Sequence, residues 1–409
     1  MVVFNQYPLG ETRVQREAEA LLRAGYEVDV ICRRTPGEPA MDTYKGVGIY
    51  RVKFHIPAPM LKAGGLGQRF LDYLGFMLTA FIKLNRLHVR KPYQSIQVHN
   101  LPDFLVLCTL IQKFQGIPII LDLHDLMPEF FIGRFGSDHS FGMKLIRWQE
   151  RLSCSFANHV ITVSEHWRQA LIQRGVPASK CSVLMNVADE YIFHPGEDRQ
   201  AYISGRDSFR LIYHGGMWYR YGIDLLVQAV DQLRSEIPGI HLTLIGQGDL
   251  LSDLHKMIEQ DNLKEHVTLV PKCLAEELPA IIESCDLAVV PYRADVFTDS
   301  LLPTKLMEYA ALGMPAVASR TTAMQTYFSN TNCEFFTPGD VEGLAHCIHW
   351  LYQHPERRAE LAQGSRSFNE RYNWAELSAG YVSLVDNLGS HEKSAKTPRK
   401  SQKAENIPN

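Results

Sequence analysis

Two patterns of apolar and polar residues alternate along almost the whole chain. Short continuous apolar runs, such as CDLAVVPY at residues 285–292, are typical of strands buried in a parallel sheet. Between these runs the apolar residues recur every three or four positions, as in TRVQREAEALLRAG at residues 12–25, which predicts amphipathic helices. A regular alternation of buried strands and such helices predicts the α/β class, with parallel sheets covered by helices.

The apolar periodicity fades once, at residues 187–208, in a stretch rich in polar residues and turn formers. We interpret this stretch as a linker between a first domain at residues 1–190 and a second domain at residues 208–373. A closing helix at about residues 374–388 is expected to pack back on the first domain. The polar segment 389–409 is expected to be disordered.

The bulk composition fits two soluble domains. The chain has 409 residues, of which 45% are hydrophobic and 21% are charged, as in ordinary globular proteins. Its most apolar stretch, residues 73–82, is only about half as long as a membrane-crossing helix needs to be. The eight cysteines show no Cys-x-x-Cys spacing, and the first residues lack the basic and apolar segments of a signal peptide. We therefore expect a cytoplasmic protein with reduced cysteines and no membrane crossing.

Charge is distributed unevenly along the chain. Residues 1–195 carry 22 Lys and Arg against 17 Asp and Glu, a net of +5, whereas residues 196–390 carry 15 against 26, a net of −11. This balance is not typical of a nucleic-acid-binding protein, so no nucleic acid partner is expected. A mildly basic first half permits peripheral contact with the inner face of a membrane. The helix predicted at residues 66–90 could touch lipid, although packing on the sheet of the first domain is the favoured interpretation.

The segment SLLPTKLMEYAALGMPAVAS, residues 300–319, predicts a helix followed by a buried strand. Pro303 suits the first helical turn, and Lys305 and Glu308 fall on one face of the helix. They form either an ordinary solvated ion pair or part of a ligand site. The apolar strand upstream favours the ligand site, because anions bind where parallel strands end and helices begin. A phosphate would then lie near residues 300–304, and Glu308 would accept hydrogen bonds from sugar hydroxyls.

Several segments together resemble a known family. They include VHNLPDF at 98–104, LDLHDLMPE at 121–129, YHGGMWYRYGIDLLVQAV at 213–230 and LPTKLMEYAALGMPAVAS at 302–319. In this order and spacing the chain resembles the retaining glycosyltransferases of family 4. The resemblance implies the GT-B fold, in which two Rossmann-like doubly wound parallel-sheet domains face each other across a cleft. It also implies sugar transfer from a nucleotide-diphosphate-sugar donor to a saccharide or lipid-linked saccharide acceptor, in polysaccharide or glycoconjugate biosynthesis.

The resemblance assigns the second carboxylate of the family's Glu-x7-Glu motif to Glu308, which would hydrogen-bond the ribose of the nucleotide. Ser300 stands at the first position of that motif, so the chain departs from the family pattern there. Further donor contacts are expected from the segment around this motif and from glycines in two loops. These donor-binding residues are Gly10, Gly215, Gly216, Ser300, Leu301, Leu302, Pro303 and Thr304.

The family's diphosphate-binding Arg and Lys align with Gly216 and Tyr221 of this chain. Because neither residue is cationic, we expect Arg220 and Lys305 to supply the positive charge on the departing diphosphate. Together with Glu308 they are counted among the catalytic residues. For Arg220, an ordinary solvated loop residue is the alternative interpretation.

In the first domain, the resemblance places His124 against the donor sugar near its anomeric centre, as a further catalytic residue. His99, Asp125 and Glu129 are expected on the acceptor side. Glu129 is either an acceptor contact or proton acceptor, or an ordinary acid at a helix start. Arg13 is interpreted as a surface residue at the start of a helix.

No Asp-x-Asp motif occurs in the chain, so we expect no metal and no bound cofactor, in agreement with metal-independent GT-B chemistry. Two other functions stay open at this point. One is a sugar-nucleotide epimerase of the same architecture, and the other is a non-catalytic nucleotide-sugar-binding scaffold, for which Ser300 and Gly216 are the best support. A dinucleotide dehydrogenase is disfavoured, because no strand is followed by Gly-x-Gly-x-x-Gly.

Overall fold

The computed structural model describes the chain in five stretches, at residues 1–8, 11–54, 65–135, 141–195 and 208–395. Gly10, predicted to bind the donor, and residues 396–409 of the polar tail lie outside the described residues. Within these stretches, none of the helices combines the length and the apolar composition that a membrane crossing requires.

The first sheet is built from strands between Asp29 and Val183. Its strands are β1 (Asp29–Arg33), β2 (Met41–Tyr44), β3 (Val47–Val52), β4 (Ile96–His99), β5 (Ile119–Leu123), β6 (His159–Thr162) and β7 (Cys181–Val183). They form two groups in the orders β2-β3-β1 and β4-β5-β6-β7, and Val2 bridges the groups by pairing with Ile31 and Val98. The pairs are parallel except for the edge strand β2.

Helices cover both faces of this sheet. They are α1 (Thr12–Arg23), α2 (Leu66–Arg90), α3 (Leu110–Phe114), α4 (Met127–Phe135), α5 (Phe141–Phe156) and α6 (Glu165–Gln173), with 3₁₀ turns at Asp103–Thr109 and Ala178–Lys180. Val14 and Ala18 of α1 belong to one buried cluster, whereas Phe76 and Leu84 of α2 belong to another. The two clusters therefore lie on opposite sides of the strands.

The second sheet is entirely parallel. Its strands are β8 (Arg210–Gly216), β9 (His241–Gln247), β10 (Val267–Val270), β11 (Leu287–Val290), β12 (Ala316–Ser319) and β13 (Glu334–Phe336). Their order is β10-β9-β8-β11-β12-β13, so the direction of winding reverses between β8 and β11. Such a reversal separates the connections that leave two neighbouring strands and opens a crevice at their carboxyl ends.

The helices of the second half surround this sheet. They are α7 (Ile223–Leu233), α8 (Leu251–Gln260), α9 (Leu278–Glu283), α10 (Thr304–Ala311), α11 (Thr322–Tyr327), α12 (Val341–Gln353), α13 (Pro355–Arg371) and α14 (Trp374–Ala395), with 3₁₀ turns at Tyr219–Tyr221 and Ala275–Glu277. Two parallel sheets with flanking helices confirm the predicted α/β architecture.

The closing helix α14 contacts the first half of the molecule. It packs against α1, and the hydroxyl of Tyr381 donates a hydrogen bond to the buried side-chain oxygen of Gln97 on β4. The helix continues to Ala395, beyond residue 389, where the sequence predicts the start of a disordered tail. Residues 391–395 include Glu and Lys, which are good helix formers, so the last turns extend a helix that is already nucleated by packing.

Candidate active site

The carboxyl ends of strands from both sheets meet at one cavity of about 550 Å³. His124 and Asp125 follow β5 of the first sheet, whereas β8 and the start of α10 bring residues from the second. The cavity thus lies at the reversal between β8 and β11, where an open α/β sheet binds its ligands. The predicted site residues that line it are His124, Asp125, Gly215, Gly216, Leu301, Leu302, Pro303, Thr304, Lys305 and Glu308.

Lys305 places its ammonium group among three tyrosines. Its Nζ donates hydrogen bonds to the hydroxyls of Tyr292 at 2.8 Å and Tyr213 at 3.3 Å. It also lies 4.6 to 5.2 Å from the ring centroids of these two residues and of Tyr221, within range of cation–π attraction. Burial lowers the pKa of Lys305 to about 7, against the opposing effect of Glu308. An anion that enters the cavity would therefore raise the pKa of Lys305 and favour its protonated form.

Two glycines make room for Lys305 and for a ligand. Gly215 has a φ of +114°, and a Cβ atom there would lie only 3.1 Å from Cε and 3.2 Å from Nζ of Lys305. A Cβ atom on Gly216 would lie 2.7 Å from Nε1 of Trp218. Side chains at either position would crowd these groups, so the glycines leave the backbone of β8 open to close approach by phosphate or sugar.

Glu308 lies next to a histidine that the sequence analysis did not single out. Oε2 of Glu308 is 3.3 Å from Nε2 of His214 on β8. Burial lowers the pKa of His214 to about 3, so its ring is neutral at physiological pH. Burial also raises the pKa of Glu308 to about 7, and Lys305 opposes this shift. Near neutral pH the carboxyl group can therefore both accept and donate hydrogen bonds, which suits sugar hydroxyls.

Behind His124 lies a buried network of charged and polar groups. Oδ2 of Asp122 is 3.2 Å from both Nε2 of His124 and Nδ1 of His99, and these two ring nitrogens are 3.1 Å apart. Arg13 donates to both carboxylate oxygens of Asp122 at 3.0 Å. Burial would raise the pKa of Asp122, but Arg13 and His124 outweigh it and hold this pKa well below its usual value. Asp122 is therefore a permanent carboxylate that orients His124.

The interpretation of Arg13 as a surface residue is wrong. Its side chain is buried, lies 3.0 Å from Glu17 one turn later, and donates hydrogen bonds to the Leu184 carbonyl at 2.7 Å and to Asn186 Oδ1 at 2.8 Å. Since Asn186 lines the cavity, Arg13 ties α1 and Asp122 to the cavity wall. The helix start alone could not reveal this role, because three of the partners lie more than a hundred residues away in sequence.

Four predicted site residues, His99, Ser300, Arg220 and Glu129, are not among the described residues that line the cavity. His99 is fully buried behind His124, and burial lowers its pKa to about 4. The Ser300 hydroxyl donates to the Phe297 carbonyl at 2.8 Å, and the Arg220 guanidinium lies 5.2 Å from the Phe297 ring. Both residues therefore flank the cavity rather than lining it.

Glu129 also has a structural partner. Its carboxylate pairs with Arg174, which donates to Glu150 as well, at 2.9 Å. The structure thus places Glu129 in a partly buried ion pair with the end of α6, and not among the residues that line the cavity, where an acceptor contact or proton acceptor was one of the two expectations. The reason is that a buried carboxylate needs a positively charged partner, and Arg174, directly after α6, supplies it.

A second cavity of about 400 Å³ adjoins the first. The two share His214, Gly215 and Gly216 of β8, and the second extends toward Gln247 and Lys272 at the ends of β9 and β10. Backbone edges of parallel strands and a few side-chain polar groups line it. This composition suits a flat heterocyclic ring held next to the first cavity.

The residues that sequence reasoning missed share one signal. Tyr213 and His214 end the apolar part of β8, and Tyr292 is the second residue after β11. The two strands are neighbours and pair Leu287 with Leu211, so residues after their ends must meet. A polar residue at the carboxyl end of a buried strand could therefore have indicated a site residue in the sequence. Only the strand order, however, shows which of these residues lie next to each other.

Two family models match the chain. The model described as Glycosyltransferase Family 4 matches residues 10–190, and the model described as Glycosyl transferases group 1 matches residues 208–354. Together they span most of the chain and leave the predicted linker between them. Each covers one of the two sheets described above.

Characterised and uncharacterised glycosyltransferases are among the similar proteins. The uncharacterized glycosyltransferase MJ1607 of Methanocaldococcus jannaschii is 28% identical over 380 residues, which cover 90% of this chain and 91% of that protein. The D-inositol 3-phosphate glycosyltransferase of Paenarthrobacter aurescens is 22% identical over 378 residues, or 90% of each chain. A GDP-mannose-dependent alpha-(1-6)-phosphatidylinositol monomannoside mannosyltransferase of Mycolicibacterium smegmatis is 26% identical over 238 residues, 56% of this chain and 62% of that one.

Solved structures with the same fold cover nearly the whole chain. Sucrose-phosphate synthase of Thermosynechococcus elongatus has a TM-score of 0.75 at 19% identity and covers 95% of this chain and 99% of its own. HepE of Anabaena, solved with UDP, has a TM-score of 0.67 at 16% identity, and the match covers 94% of this chain and 98% of HepE. These likenesses confirm the predicted pair of facing Rossmann-like domains. The two family models, one on each half, show that this chain of the GT-B fold is a glycosyltransferase that belongs to glycosyltransferase family 4.

Proposed function

We propose that this enzyme transfers a sugar from a nucleotide-diphosphate-sugar donor to a hydroxyl of a saccharide or lipid-linked saccharide acceptor, with retention of the anomeric configuration. The observation that carries the proposal is the buried Lys305 at the start of α10, which shares one cavity with His124 from the other sheet. A cation held at a helix start suits a diphosphate leaving group. A histidine that enters from the facing sheet suits the sugar attached to it.

The two adjoining cavities give each part of the donor a place. The nucleoside would occupy the 400 Å³ cavity at the ends of β9 and β10, with Glu308 at the ribose. The diphosphate would lie against Lys305, the open backbone of Gly215 and Gly216, and the start of α10. HepE has also been solved with UDP-glucose, which supports a sugar nucleotide in this fold.

The chemistry proposed is attack from the face that the leaving group vacates. The acceptor hydroxyl oxygen forms a bond to the anomeric carbon, while the bond from that carbon to the diphosphate oxygen breaks and leaves its electron pair on the diphosphate. The acceptor proton passes to that departing oxygen. Lys305 and the backbone at the start of α10 stabilise the developing charge, with Arg220 expected to add to it from the adjoining loop. His124, held by Asp122, would orient the sugar ring.

The reaction is proposed to need no metal ion, because Lys305 and the helix start supply the positive charge. Among the described residues, ligand atoms of His99, Asp122 and His124 lie within 4.8 Å of one another, an arrangement that could hold an ion. Arg13, however, already donates to both oxygens of Asp122. A chelator in the assay tests this point directly.

The acceptor is proposed to be a growing saccharide, free or lipid-linked, in polysaccharide or glycoconjugate assembly. The relative from Mycolicibacterium smegmatis is named for a phosphatidylinositol monomannoside acceptor, and the one from Paenarthrobacter aurescens for inositol phosphate. These names support a polar, hydroxyl-rich acceptor.

The experiment that tests the function is a donor panel. Binding and slow hydrolysis of UDP-, GDP-, ADP- and dTDP-sugars would be measured with EDTA present, for the wild type and for Glu308→Ala. We expect one donor class to bind and to be hydrolysed at an EDTA-insensitive rate, and Glu308→Ala to lose about tenfold or more of that rate, since it removes a hydrogen bond to the donor. No binding of any donor would contradict the proposal and favour a non-catalytic scaffold. Loss of hydrolysis with EDTA would contradict metal independence.

Donor affinity is expected to weaken as the pH rises above about 7. The pKa of Lys305 is about 7 in the empty site, and a bound diphosphate raises it toward its usual value, so binding takes up a proton. Below this pH the lysine is already charged and the affinity is constant. Above it, Kd rises by up to about tenfold per pH unit. Titration calorimetry in buffers of different ionisation enthalpy measures both Kd and the proton uptake.

Because the pKa of Glu308 is also about 7, two variants separate the contributions. Glu308→Gln should keep the rise of Kd with pH but move it to lower pH, because Glu308 raises the pKa of Lys305. Lys305→Met should abolish the rise while weakening binding at low pH. A pH dependence that persists in Lys305→Met would contradict the assignment to the lysine.

A further inference from the structure

Helix α5 exposes an apolar stripe to solvent. Phe141, Leu145, Trp148 and Leu152 recur at intervals of four, three and four residues, so they share one face of Phe141–Phe156. That face points away from the sheet: Phe141 is 83% exposed and Trp148 is 60% exposed. The opposite face carries the buried residues of the helix. The helix therefore carries apolar residues on its outer side as well as on its inner side.

Two neighbouring helices extend this apolar surface. α2 and α5 both pack against the 3₁₀ turn Asp103–Thr109, which leads directly into α3. Gln112 of α3 donates to Asn85 of α2, and Gln149 of α5 donates to Asp103, each at 2.8 Å. The three helices therefore form one layer on the sheet. The exposed apolar residues that α2 and α3 add to it are Phe70, Leu78, Ile82, Val89, Leu110, Ile111 and Phe114.

Basic residues border the stripe on α5, and no exposed acid opposes them on that helix. Lys144, Arg147 and Arg151 are all exposed and lie beside the apolar stripe in the helical sequence. The one acid of α5, Glu150, is buried on the inner face and paired with Arg174. The outer face of α5 is therefore apolar and positively charged.

We propose that this layer, and α5 above all, is a docking surface for a membrane that contains anionic phospholipid. Trp, Phe and Leu on one face with Lys and Arg beside them are the composition of helices that lie in the membrane interface. The apolar side chains insert at the level of the headgroups, and the basic side chains contact lipid phosphates. The sequence analysis considered α2 alone for this role. The structure instead assigns the apolar stripe with matching charge to α5.

Charge complementarity favours lipid over a second copy of the chain. Two copies of this surface would bring Lys144 and Arg151 of one chain against the same residues of the other, with no exposed acid of α5 to neutralise them. A negatively charged lipid surface neutralises all of them at once.

The location of α5 relates this surface to the active site. α5 leads from α4, at the cavity edge of the first sheet, back to the amino end of β6. Its first turn, with Phe141, therefore lies toward the cleft, and a docked membrane would present lipid-linked acceptors near the cavity. This last step rests on the proposed function, whereas the membrane contact itself does not.

The test is sedimentation of the full chain with vesicles of phosphatidylcholine alone or with about 30% phosphatidylglycerol. We expect partitioning onto the anionic vesicles that falls about tenfold or more in Leu145→Ser/Trp148→Ser, and several-fold in Lys144→Gln/Arg151→Gln. Trp350→Ser is the matched control, because Trp350 is 44% exposed on α12 of the other half and should leave partitioning unchanged. Raised salt should weaken the wild type but not restore the variants.

Three results would overturn the proposal. The first is a wild type that binds neither vesicle, and the second is a Leu145→Ser/Trp148→Ser variant that binds as well as the wild type. The third is a dimer by light scattering that dissociates in the same variant, which would assign the surface to a second copy. The melting temperature and the circular dichroism spectrum confirm that each variant is folded. Vesicle binding without any sugar transfer would overturn the proposed function and leave the membrane surface standing.

Discussion

Lys305→Met should lower kcat/KM for sugar transfer about 10²- to 10³-fold, by analogy with the loss of one preorganised charge at a developing anion. The same substitution should leave the melting temperature unchanged or higher. Lys305 is buried, and burial lowers its pKa to about 7, so its charged form is held at a cost to folding. Methionine fills a similar volume without that cost, and the hydroxyls of Tyr213 and Tyr292 can turn toward the cavity. Steady-state kinetics and thermal unfolding measure the two opposite effects.

Lys256→Met serves as the matched control for this prediction. Lys256 lies on α8 of the same half, is mostly exposed and pairs with Asp253 at 2.9 Å. Its replacement should change neither kcat/KM nor the melting temperature measurably, because exposed ion pairs contribute little. If Lys305→Met lost stability together with activity, the lysine would be a structural residue of the tyrosine cluster, and the catalytic assignment would fail.

The sequence was sufficient to predict that Lys305 and Glu308 lie together at the start of a helix, where the structure finds them lining the cavity, because both lie on one short helix that follows a buried strand. Their spacing, the proline at the helix start and the preceding apolar run are all local signals. The sequence also indicated two domains, since alternating strands and helices repeat on either side of a polar stretch. What it could not supply was the surroundings of the lysine. Tyr213 and Tyr292 come from strands that become neighbours only in the folded sheet.

The same limit explains the network behind His124. Arg13 and Asp122 are 109 residues apart, and each looks ordinary in its own segment: a basic residue in a first helical turn and an acid within a strand. Their meeting depends on the order of the strands in the first sheet, where α1 covers β4 and β5. Only an acid inside an otherwise apolar strand hinted that a buried cation must lie nearby.

The outer face of α5 shows a different limit. The residues around Met143 to Phe156 predict a helix, but periodicity does not state which apolar face is buried when both faces carry large apolar residues. The structure decides this by packing Met143 and Cys154 inward. The stripe with Trp148 is then left in solvent, which is the observation that leads to the membrane proposal.

Asp122→Asn should lower the free energy of unfolding by about 3 kcal/mol, because it leaves the buried Arg13 without its doubly hydrogen-bonded carboxylate. Burial and the neighbouring Asp122 raise the pKa of Glu17 well above its usual value. Removing the charge of Asp122 therefore allows Glu17 to ionise and to replace part of the lost interaction with Arg13. The double variant Asp122→Asn/Glu17→Gln should accordingly lose more stability than the two single variants lose together. Urea unfolding of the four proteins measures this coupling.

Asp42→Asn is the matched control, since Asp42 also pairs with an arginine at 3.0 Å but is 45% exposed. Its replacement should destabilise the protein far less than Asp122→Asn does, because exposed ion pairs contribute little to stability. The pKa of Asp122 lies below its usual value, so its contribution is present above about pH 4 and is lost only as the pH falls further. Because Glu17 keeps its proton in the folded wild type but loses it in Asp122→Asn, the difference in stability between these two proteins should shrink as the pH rises above the usual carboxyl range. Equal losses of unfolding free energy in Asp42→Asn and Asp122→Asn would contradict the view that burial makes the Arg13–Asp122 pair more important to stability than an exposed pair.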